Sequence, residues 1–168
     1  ILQGFNDPNT PGVSHVAGLV NNGLLLNGTD EYVDVSNANP YMPTALNQDF
    51  SVSCYFRTFG SYGPLFSMRH STLDNPLVDF TIGADGVVDL PGRVCMIVRD
   101  DPGSIGYTNS GITVNDGRWH NLIITRAGAN WTMYIDGVKR AGLNGVAAGE
   151  VTLDWLALGT SLRWLNTD

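Results

Sequence analysis

The chain is short of charge, of cysteine and of long apolar runs, and each shortage removes a class of protein. Charged residues fill 15% of its 168 positions, with nine Lys or Arg against sixteen Asp or Glu, for a formal charge of −7 and a pI near 4.6. Nucleic acid and anionic membranes recruit basic surfaces, so neither is an expected partner. An acidic surface permits cation binding, although solubility alone accounts for the charge. No apolar run is long enough to cross a bilayer, so no membrane insertion is expected. The two cysteines, Cys54 and Cys95, have no Cys or His close by and form no metal motif. One disulfide or two buried thiols both fit them. Glutamate occurs only as Glu31 and Glu150, so the carboxylates at alternating strand positions that glycosidic-bond hydrolysis needs are missing. There is no G-x-S-x-G elbow, no P-loop and no dinucleotide fingerprint. His15, His70 and His120 lie far apart in sequence. No catalytic residue and no enzyme are expected. No segment keeps a helical period, and no longer repeat recurs.

What is present is turn punctuation between short apolar runs. Apolar residues make up 43% of the chain, enough for a sizeable core. Twenty Gly and eight Pro are scattered singly, as turns between many strands require. The length suits one domain over 1–168. The chain begins at Ile1 and shows no signal peptide, and we expect a segment of a longer polypeptide. Val114 to Val138 reads as a long hairpin, with Asp116-Gly117 opening it, Ala127–Asn130 turning it and Asp136-Gly137 closing it. Gly23 to Val35 reads as strand, tight Asn27-Gly28 turn, strand. Phe50 to Thr58 alternates, with Phe50, Val52, Cys54 and Phe56 on one side. Further strands are expected at Leu65–Met68, Leu77–Gly83, Val87–Leu90, Arg93–Arg99 and Val151–Leu158, with Asp100–Ser110 and Gly142–Gly149 as loops. About a dozen short strands with regular turns predict an all-β, two-sheet antiparallel sandwich. We expect Trp119, Phe56, Val52, Ile124 and Tyr134 to point into its core. Tyr62, Tyr107, Trp131 and Trp164 lie in or beside loops, and the first three are candidate ligand-binding residues for stacking on sugar rings. Asn27 and Asn130 head glycosylation sequons, both in tight turns.

Three stretches resemble a known group. Asp116–His120 fits "D-G-x-W-H", Met133–Gly137 fits "(L/M)-Y-(I/V)-D-G", and Gly23–Val35 is similar to "(A/L)-L-x-F-(D/N)-G-x-D-x-Y-V-x-V". Together they resemble laminin G-like and pentraxin-like domains, which implies a concanavalin A-like jelly roll that binds rather than reacts. The resemblance implies a structural, hydrogen-bonded role for His120. It places Cys54 where pentraxins carry a cysteine, but their partner strand corresponds to His120–Arg126, which has none. It also implies Ca²⁺ at Asp74 and Asn75, whose oxygens suit that ion. A turn explains Asp74-Asn75-Pro76 equally well, and the later acidic cluster expected near Gly159–Arg163 has no carboxylate. The family's opening strand fits Ile1–Val20 poorly, and no closing strand follows Leu158. We therefore expect a neighbouring domain or subunit to cover Val151–Leu165. The reading that results is a non-catalytic recognition or adhesion module, with rim loops that bind a glycan or a surface or matrix protein. Its setting would be extracellular, at a cell surface or at a virion surface. The alternatives are a structural module of a virion, fibre or matrix assembly, and an accessory carbohydrate-binding domain of a hydrolase.

Overall fold

The computed structural model describes residues 14–29, 31–34, 49–70, 73, 75–84 and 88–161, and among them it contains strands and no helix. Six strands form one sheet, in the order β3 (Val33–Asp34), β12 (Trp155–Leu158), β5 (Gly63–Arg69), β6 (Leu77–Ala84), β7 (Asp89–Arg99) and β8 (Ile105–Thr113). Four form a second, in the order β11 (Val138–Asn144), β10 (Asn130–Ile135), β9 (His120–Ala127) and β4 (Phe50–Phe56). A separate hairpin joins β1 (Ser14–Ala17) to β2 (Asn22–Leu25). Every pairing is antiparallel. The fold is thus the expected all-β sandwich.

Period-two alternation decides which side chains meet between the sheets. Phe66, Met68, Val78, Phe80, Ile82, Val94, Met96 and Val98 face inward from the six-stranded sheet. Leu122, Ile124, Trp131, Met133 and Ile135 meet them from the four-stranded one, and Val114, Ala147, Val151 and Leu153 close the ends. Each such side chain, fully buried, is worth about 1.5–3 kcal/mol over leaving it in water. Phe50, Val52, Cys54 and Phe56 line the inner side of β4, half-buried against the core, as their alternation foretold.

Several expectations need correction. Trp119 and Tyr134 are half-buried and lie outside the core cluster. On β9 the inward set is Leu122, Ile124 and Arg126, so Trp119 has the wrong parity to join Ile124. On β10 the inward set is Trp131, Met133 and Ile135, which turns Tyr134 outward. Gly23–Val35 is not a hairpin: β2 pairs with β1, and β3 pairs with β12. The region read as the Asp100–Ser110 loop contains most of β8, and β11 begins directly after the Asp136-Gly137 turn. Positive φ at both Asp136 (53°) and Gly137 (75°) gives the two-residue turn whose twist matches a hairpin.

The Val151–Leu158 stretch also differs from expectation. Only Trp155–Leu158 is strand, and it lies inside the sheet between β3 and β5 rather than at an open edge. Val151, Leu153 and Ala157 are buried by the chain itself, so they need no neighbouring subunit for cover. Leu162, Trp164 and Leu165 lie outside the described residues. Cys54 and Cys95 are free thiols on different sheets, which selects the buried-thiol reading. Burial pushes the Cys54 thiol up to about 11.

Candidate functional site

Strand direction sorts the loops into two rims. One carries the Thr58–Tyr62 loop, the Val114–Trp119 segment and the Asp136-Gly137 turn; the other carries His70, Leu73, Asn75-Pro76, Asp100–Ser104, Gly128-Ala129 and Gly145–Asp154.

The first rim is framed by main-chain bonds. The Gly117 amide donates to the Thr58 carbonyl (3.0 Å), the Gly92 amide to the Ser61 carbonyl (2.9 Å), and the Val114 amide to the Gly92 carbonyl (2.8 Å). The Asn115 side-chain amide adds a bond to the Ser61 hydroxyl (3.1 Å). On this frame sit two exposed rings, Phe59 (79% exposed) and Tyr62 (58%). Each rests on a glycine. A methyl group at Gly117 would overlap the Phe59 ring, and one at Gly83 would overlap Tyr62. The Tyr62 hydroxyl donates to Asp89 at 2.6 Å. Beside them, the Arg57 guanidinium lies 5.4 Å from the centre of the half-buried Trp119 ring, and Gly23 of β2 packs against that same indole.

His120 ties two turns of this rim together. Its Nδ1 is 2.8 Å from an Asp136 carboxylate oxygen and its Nε2 is 3.1 Å from Asp116. Phe56 stacks obliquely on the imidazole, 5.9 Å between centres. Burial alone would depress the histidine, but the hydrogen bonds its ring donates to Asp136 and Asp116 outweigh it, and its proton is held above the usual range. Asp116 lies below the usual carboxylate range, because the Arg118 amide and His120 both bond it. Burial pushes Asp136 up, yet the Asn121 amide and His120 bring it below that range.

The second rim is locked by side chains. Asp100 is buried and accepts the amides of Ser104 (2.7 Å) and Gly149 (2.9 Å). Asp101 accepts the amide and hydroxyl of Thr152. Arg126, also buried, donates to the Gly149 carbonyl at 2.8 Å and lies 5.4 Å from the Trp131 ring centre. Arg69 donates to the carbonyls of His70 (3.0 Å) and Leu73 (2.8 Å).

The candidate ligand residues are not brought together. Tyr62 is exposed at the first rim. Tyr107 is half-buried on the outward side of β8, opposite Ile97 of β7. Trp131 has no exposed surface, which corrects its placement as a loop residue open to a ligand: it is edge-on to Phe50 (5.7 Å), and its indole N–H faces the Ala147 carbonyl at 3.5 Å. Its alternation with Met133 and Ile135 carried the signal, obscured by the adjacent turn. Phe59 and Arg57 were missed. Their signal was indirect, a Gly-rich stretch opposite the Asp116-Gly117 turn.

Of the candidate metal residues, Asp74 lies outside the described residues. Asn75 sits at the second rim with its side-chain amide against Gly103, and its Oδ1 is buried with no hydrogen-bond partner. That oxygen fits a hard cation as a single ligand. Among the described residues no group of three or more His, Cys, Asp or Glu could hold a metal, and there is no helix long and apolar enough to cross a membrane. Asp79, buried on the outward side of β6, receives the hydroxyls of Ser67 and Ser161, one on each carboxyl oxygen.

A family model described as the concanavalin A-like lectin/glucanases superfamily matches residues 27–167. The chain belongs to that superfamily. Among curated proteins, none is similar enough in sequence to count as a relative. Solved structures share the fold at low identity. Domain 4 of AbnA, an extracellular GH43 arabinanase from Geobacillus stearothermophilus in complex with arabinotriose, is 14% identical with a TM-score of 0.64; the match covers 90% of this chain and 68% of that one. The botulinum neurotoxin serotype G binding domain is 12% identical with a TM-score of 0.66, over 89% of this chain and 37% of that one. Domains LG4-5 of the mouse laminin alpha1 chain are 17% identical with a TM-score of 0.57, over 76% and 31%. The chain thus spans about a third of the length of the laminin and neurotoxin structures.

Proposed function

We propose that this domain is a non-catalytic recognition module, exposed outside the cell, that holds a glycan or a surface or matrix protein at the loops of one rim. The observation that carries the reading is the pair of exposed rings, Phe59 and Tyr62, each seated on a glycine within a hydrogen-bonded frame. A monomer leaves single apolar side chains in water without consequence, but two exposed rings seated on the same framed rim present a prepared contact surface. Loops on a rigid sandwich are where binding residues concentrate. The arabinanase domain solved with arabinotriose and the neurotoxin binding domain support binding as the role of this architecture. The former also supports the second reading, an accessory carbohydrate-binding domain of a hydrolase. The structural-module alternative loses the support it drew from Val151–Leu158, since the chain itself covers Val151, Leu153 and Ala157.

A glycan array and a panel of purified matrix proteins, probed with this chain, test the reading. We expect saturable binding to at least one member, weakened by Tyr62→Ala. No saturable binding on either panel would remove it.

We also propose a Ca²⁺ ion at Asp74 and Asn75, supported by the unpartnered Asn75 oxygen. Millimolar calcium should then raise Tm by mass action, and Asn75→Ala should abolish the rise. An unchanged Tm in calcium would dismiss the site.

A further inference from the structure

We infer that His120 is a proton-operated latch: its imidazolium closes the Asp116-Gly117 turn on which Phe59 is seated, and the neutral imidazole releases that turn. The inference rests on the recognition reading above and adds regulation to the same rim. Three observations carry it.

The first is a count of donors. Nδ1 of His120 lies 2.8 Å from an Asp136 oxygen and Nε2 lies 3.1 Å from an Asp116 oxygen. An ionised carboxylate only accepts, so both contacts are hydrogen bonds only when both ring nitrogens carry a proton. The neutral ring has a single N–H, and its other nitrogen then points a lone pair at a carboxylate oxygen. One protonation state satisfies this arrangement and the other does not.

The second is which contact fails. Asp136 is tied to β9 without help from the imidazole. Its other oxygen accepts the Asn121 amide (2.8 Å), and its own amide donates to the Asn121 carbonyl (2.9 Å). Beyond His120, the partners of Asp116 stay inside its own turn: the Arg118 amide at 2.9 Å and the Arg118 Nε at 3.8 Å. The one proton of the neutral ring therefore stays on Nδ1, against the shorter and better anchored contact, and Asp116 is the partner released.

The third is what Asp116 holds. The next residue, Gly117, donates to the Thr58 carbonyl (3.0 Å), and the Phe59 ring occupies the place where a Gly117 side chain would be. Loosening Asp116 thus loosens the seat of an exposed ring. The other charges at the clasp are Arg118, which acts on Asp116, and Arg140 of β11, which acts on Asp136. From β4 the imidazole meets the uncharged Phe56 ring, and Arg57 beyond it is engaged on Trp119. The arginines keep their charge at every pH of interest, so His120 is the group that changes. Burial opposes its proton, but the two carboxylates hold it above the ordinary 6.5, so release falls above that value. Recognition at this rim should then strengthen on acidification and weaken as the imidazolium is lost.

The test is an NMR titration of the whole chain, ¹⁵N-labelled, between about pH 5.5 and 9, the span over which a histidine of raised pKa changes charge. We expect both ring nitrogens of His120 to titrate together, with the neutral ring keeping its proton on Nδ1. The Gly117 amide and the Phe59 ring signals should follow the same midpoint, and the Gly117 protection factor should fall roughly fivefold or more across it, as for a local opening. Asp116→Asn can donate to the bare nitrogen, so it should keep Gly117 protected at both ends while His120 still titrates. His120→Gln should show no pH response at Gly117. Constant Gly117 and Phe59 signals during the His120 titration, or a neutral ring protonated on Nε2, would overturn the latch. The titration needs no ligand, so its outcome is separate from that of the glycan and matrix-protein panels, whose failure would remove the recognition reading instead.

Discussion

At the rim carrying Asp100 and Arg126, side chains hold the loops to one another; at the rim carrying Phe59 and Tyr62, main-chain groups do most of that. The carboxylate of Asp100 is committed to the amides of Ser104 and Gly149, and Arg126 to the Gly149 carbonyl. The frame from Thr58 to Gly117 instead closes through amide–carbonyl bonds, which leaves Arg57, Phe59, Tyr62 and Arg118 facing solvent. The difference teaches where recognition can reside. A buried polar side chain stripped of its partners costs more than it could gain from a ligand. An exposed one on a preformed frame has no such commitment.

The two ends also differ in how their tryptophans are used, and this gives the largest expected effect. Trp131 is fully buried and Trp119 is not. Trp131→Ala should therefore cost about 3–5 kcal/mol in urea unfolding, and Trp119→Ala under about 2 kcal/mol. Equal losses would mean that the rims are not distinct in packing.

Next comes the locked rim itself. Asp100→Ala removes the acceptor of two part-buried hydrogen bonds, from the Ser104 and Gly149 amides, for an expected loss of about 1–3 kcal/mol. Hydrogen exchange should open at Ser104 and Gly149 together. If only one amide loses protection, the two loops are not joined through this carboxylate.

A smaller effect is expected from the His120 clasp at the open rim. His120 titrates above its ordinary 6.5, so its stabilisation is complete below that value and is lost as pH rises through the folded one. Asp116 and Asp136 titrate below their ordinary 3.8, so their share is present above that and is lost as pH falls through the folded values. The clasp is strongest between about pH 4 and 6.5. Between pH 5.5 and 8.5, wild type should lose more Tm than His120→Gln. Parallel curves for the two proteins would show that the clasp does not couple these turns.

The smallest expected change sharpens the comparison most. Phe59→Ala should alter stability by less than about 0.5 kcal/mol, as for a surface site. A large loss would place Phe59 in the structural frame and leave the open rim without its platform.

Much of the sandwich was written along the chain. Alternation at Phe50–Phe56 and the D-G turn at Asp136-Gly137 marked β4 and the β10–β11 hairpin, because a pleated strand shows its faces at period two and a tight turn needs particular residues. The role of His120 was also legible through the resemblance, and its two carboxylate partners bear it out.

Tertiary structure decided the rest. β8 carries Gly106, Ser110 and Gly111 and reads as a loop until β7 supplies its ladder partners, since pairing between strands overrides weak local preference. Whether Trp119 or Trp131 is the core indole turned on parity across β9 and β10, which one misplaced strand start reverses. The open rim was least visible of all. Phe59 meets Gly117 across nearly sixty positions of chain, and only the folded sheets bring that ring and that glycine together. Local sequence determined the strands and turns because their physics is local. The rim is a product of long-range register, which no window of neighbouring residues contains.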